Sequence, residues 1–338
     1  MSFAKPSKSV KILIMKKINF LIATITFSVM CANVNAQLDR LNRAVQRGAE
    51  RALEKKAEEK AEEVVSKEID KGFEKAETER AKGEAEAEKA LNKAAEAIEE
   101  AEKNQAEAEA QVSDIPEAIP TVSNTPYTPS ESEYVFFSMK KGAVQMFVSK
   151  DAKGKITSQS RTKIKEITGD KNAFAILYES ESLDEKGNSL DKDNPLILNF
   201  RVVVKDGLMY LDMRGMFGAM EGMEGSEGMQ VSGSAIKIPG NLSVGQKIDD
   251  AKASVKIGVF NCVMIMTEGK CLAIEDVKVE AGTFRCYKVS QKTNSTVLGI
   301  KSECTNVTWY AKGVGAVKTE SYDKNGKLLS TQELKSNS

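Results

Sequence analysis

The sequence predicts a mainly β protein: a large curved antiparallel meander, an open half-barrel or incomplete barrel, preceded by a long charged α-helix. Three observations carry this. From Glu133 to the C terminus the apolar residues recur with a strand-like period. Three turns in that region share one Asp-x-x-Gly chemistry. Residues 37–112 are dominated by Ala, Glu, Lys and Arg and contain no proline, which favours helix.

The N terminus reads as an export signal. Met15-Lys16-Lys17 is followed by an apolar stretch from Ile18 to Ala32, then by Val34-Asn35-Ala36 before Gln37. Residues 1–36 are therefore expected to be a cleaved signal peptide, with Met15 an alternative start. The apolar run is too short and wrongly flanked for a membrane span, so no transmembrane span is expected after cleavage. Cys31 could suggest a lipid anchor, but Met30 is a poor residue to precede a lipidated cysteine.

The helical segment, 37–112, holds 15 basic and 21 acidic residues. Its apolar residues thin out after Phe73, and no sustained heptad establishes a coiled coil. Arg40, Arg43, Arg47, Arg51 and Lys55 lie three or four apart and form one basic ridge. It suits anionic headgroups or an acidic envelope partner, or is simply a solvated face. Residues 113–132 contain four of the seven prolines among Ser and Thr, which marks a linker.

Residues 133–338 read as strands: Tyr134–Phe137, Val144–Val148, Ile156–Ile167, Ala173–Leu183, Leu196–Lys205 and Leu208–Leu211. The series continues with Ala235–Ile238, Ala253–Met266, Cys271–Val279, Phe284–Lys292, Ile300–Tyr310, Ala316–Tyr322 and Leu328–Leu334. The turns Asp151–Gly154, Asp184–Gly187 and Asp323–Gly326 place a capping carboxylate first and a glycine at the positive-φ position last. Such turns join antiparallel neighbours. About a dozen strands must twist and curl, which predicts a concave face.

Between two of these strands lies a Met/Gly-rich insertion, 213–233. Met209, Met213, Met216, Met220 and Met223 recur at alternating intervals of four and three, with Phe217 on the same side. Three readings stay open: a plug on the sheet's open side, a lid over an apolar ligand or partner, and a thioether copper(I) site. The third lacks the usual His and a tight Met-x-Met spacing.

Composition narrows the chemistry. The chain has 338 residues, 49 basic and 49 acidic side chains and no histidine. Histidine triads, histidine metal sites and histidine pH switches are excluded. Ser160-x-x-Lys163 and Ser234-x-x-Lys237 fit a Ser-x-x-Lys spacing but fall in predicted strands, not at a helix start. Asp191-Lys-Asp193-Asn194 lacks the glycine and terminal Glu of an EF-hand loop. No catalytic residue, metal site or cofactor is assigned, and the protein is expected not to be an enzyme. No region has the basic excess of a nucleic-acid binder. The mature cysteines are Cys262, Cys271, Cys286 and Cys304. An exported chain permits disulfides, and Cys286 with Cys304 on consecutive strands is the expected pair, with buried thiols the alternative.

Three stretches carry a resemblance: Ile238-Pro-Gly-Asn-Leu-Ser-Val-Gly-Gln-Lys-Ile248, Ala281-Gly-Thr-Phe-Arg-Cys-Tyr-Lys-Val289 and Trp309-Tyr-Ala-Lys-Gly-Val-Gly-Ala-Val-Lys-Thr-Glu-Ser-Tyr322. They resemble the exported TapB-type family, a domain of unknown function also called 3108-like. The resemblance runs from the linker to the C terminus. It implies an antiparallel β-domain in the periplasm or outer envelope of a Gram-negative-type bacterium, and it supplies no catalytic residue. The expected activity is binding of a lipid or other apolar ligand, or of an envelope protein. The alternative is an assembly module in which the charged helix holds a partner.

Overall fold

The computed structural model describes residues 99–100, 103–111, 119–131, 135–190, 195, 197–212, 230–257, 260–297 and 300–338. These contain fourteen strands. They are β1 (Val144–Asp151), β2 (Ile156–Gly169), β3 (Ala173–Leu183), β4 (Ile197–Lys205), β5 (Leu208–Asp212), β6 (Gln230–Gly233) and β7 (Ile236–Pro239). Then come β8 (Lys247–Ile248), β9 (Ala251–Ile257), β10 (Phe260–Val279), β11 (Gly282–Val297), β12 (Ile300–Ala311), β13 (Gly315–Asp323) and β14 (Leu328–Asn337).

All belong to one antiparallel sheet. Its order is β6-β9-β10-β11-β12-β13-β14-β1-β2-β3-β4-β5-β7, with β8 also on β10. The sheet is open: β6 and β7 are its edges and do not pair. Yet only Ser234 and Ala235 separate these strands in sequence. The sheet therefore curls until its edges lie within a two-residue step. Ser234 N–H donates to the Lys252 carbonyl (2.8 Å), and its hydroxyl accepts from Lys252 N–H (3.1 Å). Gly233 makes the step at φ +119°, and a Cβ there would lie 2.7 Å from Ala253 Cα. Only glycine fits.

The three Asp-x-x-Gly turns form as expected at one end of the sheet: two close β1–β2 and β13–β14, and the third folds Leu183 back on Ser189 within the β3–β4 connection. In each, an Asp Oδ1 accepts the N–H groups two and four residues on, at 2.8–2.9 Å. Gly154, Gly187 and Gly326 take φ of 80°, 85° and 78°. We call this the turn end.

The other end is plugged. Val135–Phe137, expected as a strand, is not one. The segment enters the curl, and its apolar pattern comes from burial inside the curl rather than from one face of a sheet. Phe136 is fully buried, with its ring centroid 4.8 Å from Tyr287 and 6.1 Å from Tyr310. Gly313 N–H donates to the Val135 carbonyl (2.8 Å), and Tyr178 donates its hydroxyl to the Ser138 carbonyl (2.5 Å). Around the plug packs the main core, including Ile164, Ile176, Val202, Met209 and Met264, all 1% exposed or less. Each such side chain contributes roughly 1.5–3 kcal/mol of burial.

Two further strand expectations are corrected. Ala253–Met266 is not one strand but the β9–β10 hairpin, with Ile257 opposite Phe260. Cys271–Val279 is the second half of the 20-residue β10. A shift of register between Thr267 and Lys270, with Glu268 at φ +57°, bends β10 without ending it.

The segment read as linker is partly docked. Tyr127 N–H donates to the Ile167 carbonyl (3.0 Å), and its ring lies 5.6 Å from Phe174. Residues 103–110 are helical. Ala108 packs on Val263 and Ile265, and Glu107 pairs with Lys301 (3.2 Å). Those partners alternate with the inward Met264 and Met266, so this helix lies on the convex face.

Candidate functional site

Strand alternation sorts the inner side chains into two kinds. Near the plug they are apolar. On β3, β4 and β5, Tyr178, Phe200, Val202 and Leu211 follow one another across the register. Tyr178 and Phe200 stack at 4.8 Å with 7° between their planes. Across the curl stand Met266 and Tyr310. Between these walls is a cavity of about 100 Å³. Its lining includes Phe137, Phe147, Leu198, Ile236 and Ile238, with Gln145, Thr162, Ser180 and Gln291 as the side-chain polar groups besides Ser138, Tyr178 and Tyr310. Thr162 and Ser180 hydrogen-bond each other at 3.0 Å. The volume is below the roughly 300–1,000 Å³ of a drug-sized pocket. It is enough for the end of an apolar chain.

Toward the turn end the inner rows of β11, β12 and β13 are uncharged and mostly polar, while β10 sets Met264 and Met266 opposite Ser295 and Thr293. Register places Gln291 opposite Asn306, Ser295 opposite Ser302, and Thr308 opposite both Val289 and Thr319. Thr308 and Thr319 hydroxyls share a hydrogen bond (3.2 Å). Asn306 accepts from Ser321 (2.7 Å) and donates to Thr293 (3.3 Å). These residues were not singled out from sequence. The available signal is an uncharged polar residue at every second position of Gln291–Ser295, Ser302–Thr308 and Thr319–Ser321, interrupted only by Cys304.

The convex face is different. Trp309 is 6% exposed, and its indole N–H donates to Glu275 (2.7 Å). Lys288 and Lys318 lie over its ring at 4.8 and 5.1 Å. The tryptophan joins a small cluster with Cys286, Ala311 and Val317 and is a packed group rather than a ligand platform.

The expected Cys286–Cys304 disulfide is not formed. Cys286 is a free thiol, and Cys304 stands opposite Thr293, seven residues along β11. At about 3.3 Å per residue that separation is roughly 23 Å, far beyond disulfide reach. Burial pushes the Cys262 and Cys286 thiols up to about 12, with Asp276 and Glu275 adding to the effect at Cys286. Neither is a nucleophile at neutral pH.

The Ser-x-x-Lys pairs are also separated. Ser160 points inward on β2, and Lys163, three residues on, points outward. Ser234 is held by Lys252, while Lys237 lies over the Tyr210 ring. Among the described residues no group of three or more His, Cys, Asp or Glu converges as a metal site, and no helix is long and apolar enough to cross a membrane. Met213, Met216, Phe217, Met220 and Met223, the ridge Arg40, Arg43, Arg47 and Arg51, Cys31, and Asp191–Asn194 lie outside the described residues.

The family model described as DUF3108-like matches residues 140–334, more than half of the chain. No curated protein matches. Two solved structures share the fold. One is a candidate exported protein with a YmcC-like fold from Bacteroides fragilis, with TM-score 0.50, 18% identity, and 61% of this chain and 99% of that one covered. The other is a candidate lipoprotein from Parabacteroides distasonis, with TM-score 0.51, 20% identity and the same coverage. At such identity the likeness establishes the fold alone.

Proposed function

The chain belongs to the DUF3108-like family, and from that premise we propose that it is an exported cell-envelope protein that binds an apolar ligand and catalyses no reaction. One observation carries the reading: an apolar cavity between facing aromatic walls, inside a sheet that is curled but not closed. A sheet whose edges are unpaired can widen without breaking a ladder between them. A cavity of about 100 Å³ then takes the end of a chain, and a wider opening takes more of it. Export is supported by the Met15–Ala36 pattern and by the descriptions of the two structural relatives.

The test is native mass spectrometry of the protein purified from its own envelope. Retained lipid-sized mass, released by organic extraction, supports the proposal. A clean polypeptide mass in repeated preparations overturns it.

A second reading has its own observation. The helix 103–110 is fixed to the convex face through Ala108 and the Glu107–Lys301 pair. The charged segment precedes this anchored helix in sequence, and an assembly module would use that segment to hold an envelope partner. Crosslinking in the envelope that depends on Arg40, Arg43, Arg47 and Arg51 supports this reading. Crosslinking unchanged after their replacement by alanine removes it.

A further inference from the structure

We infer that the ligand has an uncharged, hydrogen-bonding head. The structure assigns the turn-end half of the concave face to a neutral hydroxyl- or amide-bearing group whose apolar tail enters the cavity. This deepens the apolar-ligand reading and rests on it.

The first observation is a set of orphaned polar atoms. Ser295 Oγ and Ser302 Oγ face one another across β11 and β12, buried to 2% and 7% exposure, and neither has a hydrogen-bond partner. Gln291 Nε2, on the cavity wall four residues deeper along β11, is buried and unpartnered as well. So is Ser160 Oγ on the β2 side of the curl. Buried polar atoms are nearly always paired, by protein or by something bound. Here the neighbouring Asn306, Thr293, Thr308, Thr319 and Ser321 satisfy one another, and the unpaired donors remain on the same concave face.

The second observation is the sorting of charge. The same strands are rich in Lys and Glu, but these occupy the alternate, convex positions and pair there. Lys292 bonds Glu303 at 3.4 Å, and Lys318 bonds Glu320 at 2.7 Å. A charged head beside these inner rows would lose water and meet no Lys or Glu among their described inward residues. A hydroxyl or amide head would both donate to and accept from Ser295 and Ser302, which can each do either. The position of Gln291 connects the two halves, because it borders the apolar cavity and belongs to the polar rows. A purely apolar guest would leave it unpaired.

The experiment uses the mature full chain, residues 37–338, loaded with the uncharged fluorophore N-phenyl-1-naphthylamine. Three competitors share one tail and differ in head: 1-monooctanoylglycerol, octanoate and octyltrimethylammonium. The neutral competitor is expected to displace the probe at a concentration at least tenfold lower than either ion. Ser295→Ala combined with Ser302→Ala is expected to shrink that difference below threefold. Because the variant deletes only unpaired hydroxyls, its melting temperature should stay the same or rise. Equal displacement by all three heads, or better displacement by an ion, overturns the head assignment and leaves the apolar-ligand reading standing. Full neutral preference in the double variant also overturns it. Failure of the probe to bind removes the ligand reading itself, and the head assignment falls with it.

Discussion

Tyr178 joins the cavity to the plug, and removing its hydroxyl tests whether the plug is part of the folded core. The phenol donates to the Ser138 carbonyl at 2.5 Å. Its ring stacks on Phe200 and lies 6.0 Å from Phe137. Burial pushes the phenol well above its ordinary value, so it remains a protonated donor throughout the neutral range. Tyr178→Phe keeps the ring and both aromatic contacts. It leaves the Ser138 carbonyl without its donor in a site where Ser138 is 3% exposed. An unpaired buried polar group costs about 1–3 kcal/mol. For a domain of this size that corresponds to roughly 2–4 °C of melting temperature per kcal/mol. With about 2 kcal/mol as the central value, the variant should melt about 4–8 °C lower. Urea denaturation followed through Trp309, the single tryptophan, reads the change. The midpoint should fall while the slope stays constant, since the surface exposed on unfolding is unchanged. A loss under about 0.5 kcal/mol would show that the plug does not depend on this bond. A marked change of slope would mean that the segment leaves the core as a unit, which also refutes the reasoning.

Two other outcomes follow from the thiols and the turns. With Cys286 pushed up to about 12, its thiolate fraction at pH 8 is about one in ten thousand. Peptide mapping after a thiol-reactive label should find Cys286 modified only once the protein is unfolded, and rapid native labelling contradicts the burial argument. Asp184 titrates below its ordinary value, chiefly because Asn188 supplies a backbone and then a side-chain hydrogen bond. Its folded pKa is depressed, so its contribution to stability is present above the unfolded value and is lost as pH falls through the folded one. Carboxyl NMR should place the midpoint below about 3.9 and Asn188→Ala should raise it; a wild-type midpoint at or above that value refutes the account.

What could be read from the sequence was what is determined locally. The Asp-x-x-Gly turns need only five consecutive residues, and all three formed with one hydrogen-bond pattern. The period of two identified most strands, because one face of each is buried. Longer-range facts were hidden. Val135–Phe137 has a strand's composition, but its neighbours are Tyr287 and Tyr310, 150 residues or more away in the chain. The two halves of β10 read as separate strands because Thr267–Lys270 interrupts the apolar run. That interruption is a bend in the ladder, and no local signal separates a bend from an end. The Cys286–Cys304 pairing failed for want of register. Two cysteines on adjacent strands meet only if the turn between them falls midway, and the β11–β12 turn at Val297–Ile300 does not.

The inner face also shows why strand alternation alone did not reveal a site. Alternation separates inside from outside, and Gln291, Thr293 and Ser295 satisfy it as well as Val or Ile would. A sheet evolved only as a stable head would gain from apolar residues at these positions, since unpaired buried hydroxyls destabilise and methyl groups there would not. Near the plug the same curl is lined with Ile, Val and Met, and β10 carries Met264 and Met266 opposite Ser295 and Thr293. The change of lining along β11, from Val289 through Gln291 to Ser295, is what the proposed neutral head group would meet. On the proposed reading, the sequence carries the head-group site only as a change of side-chain type at constant period.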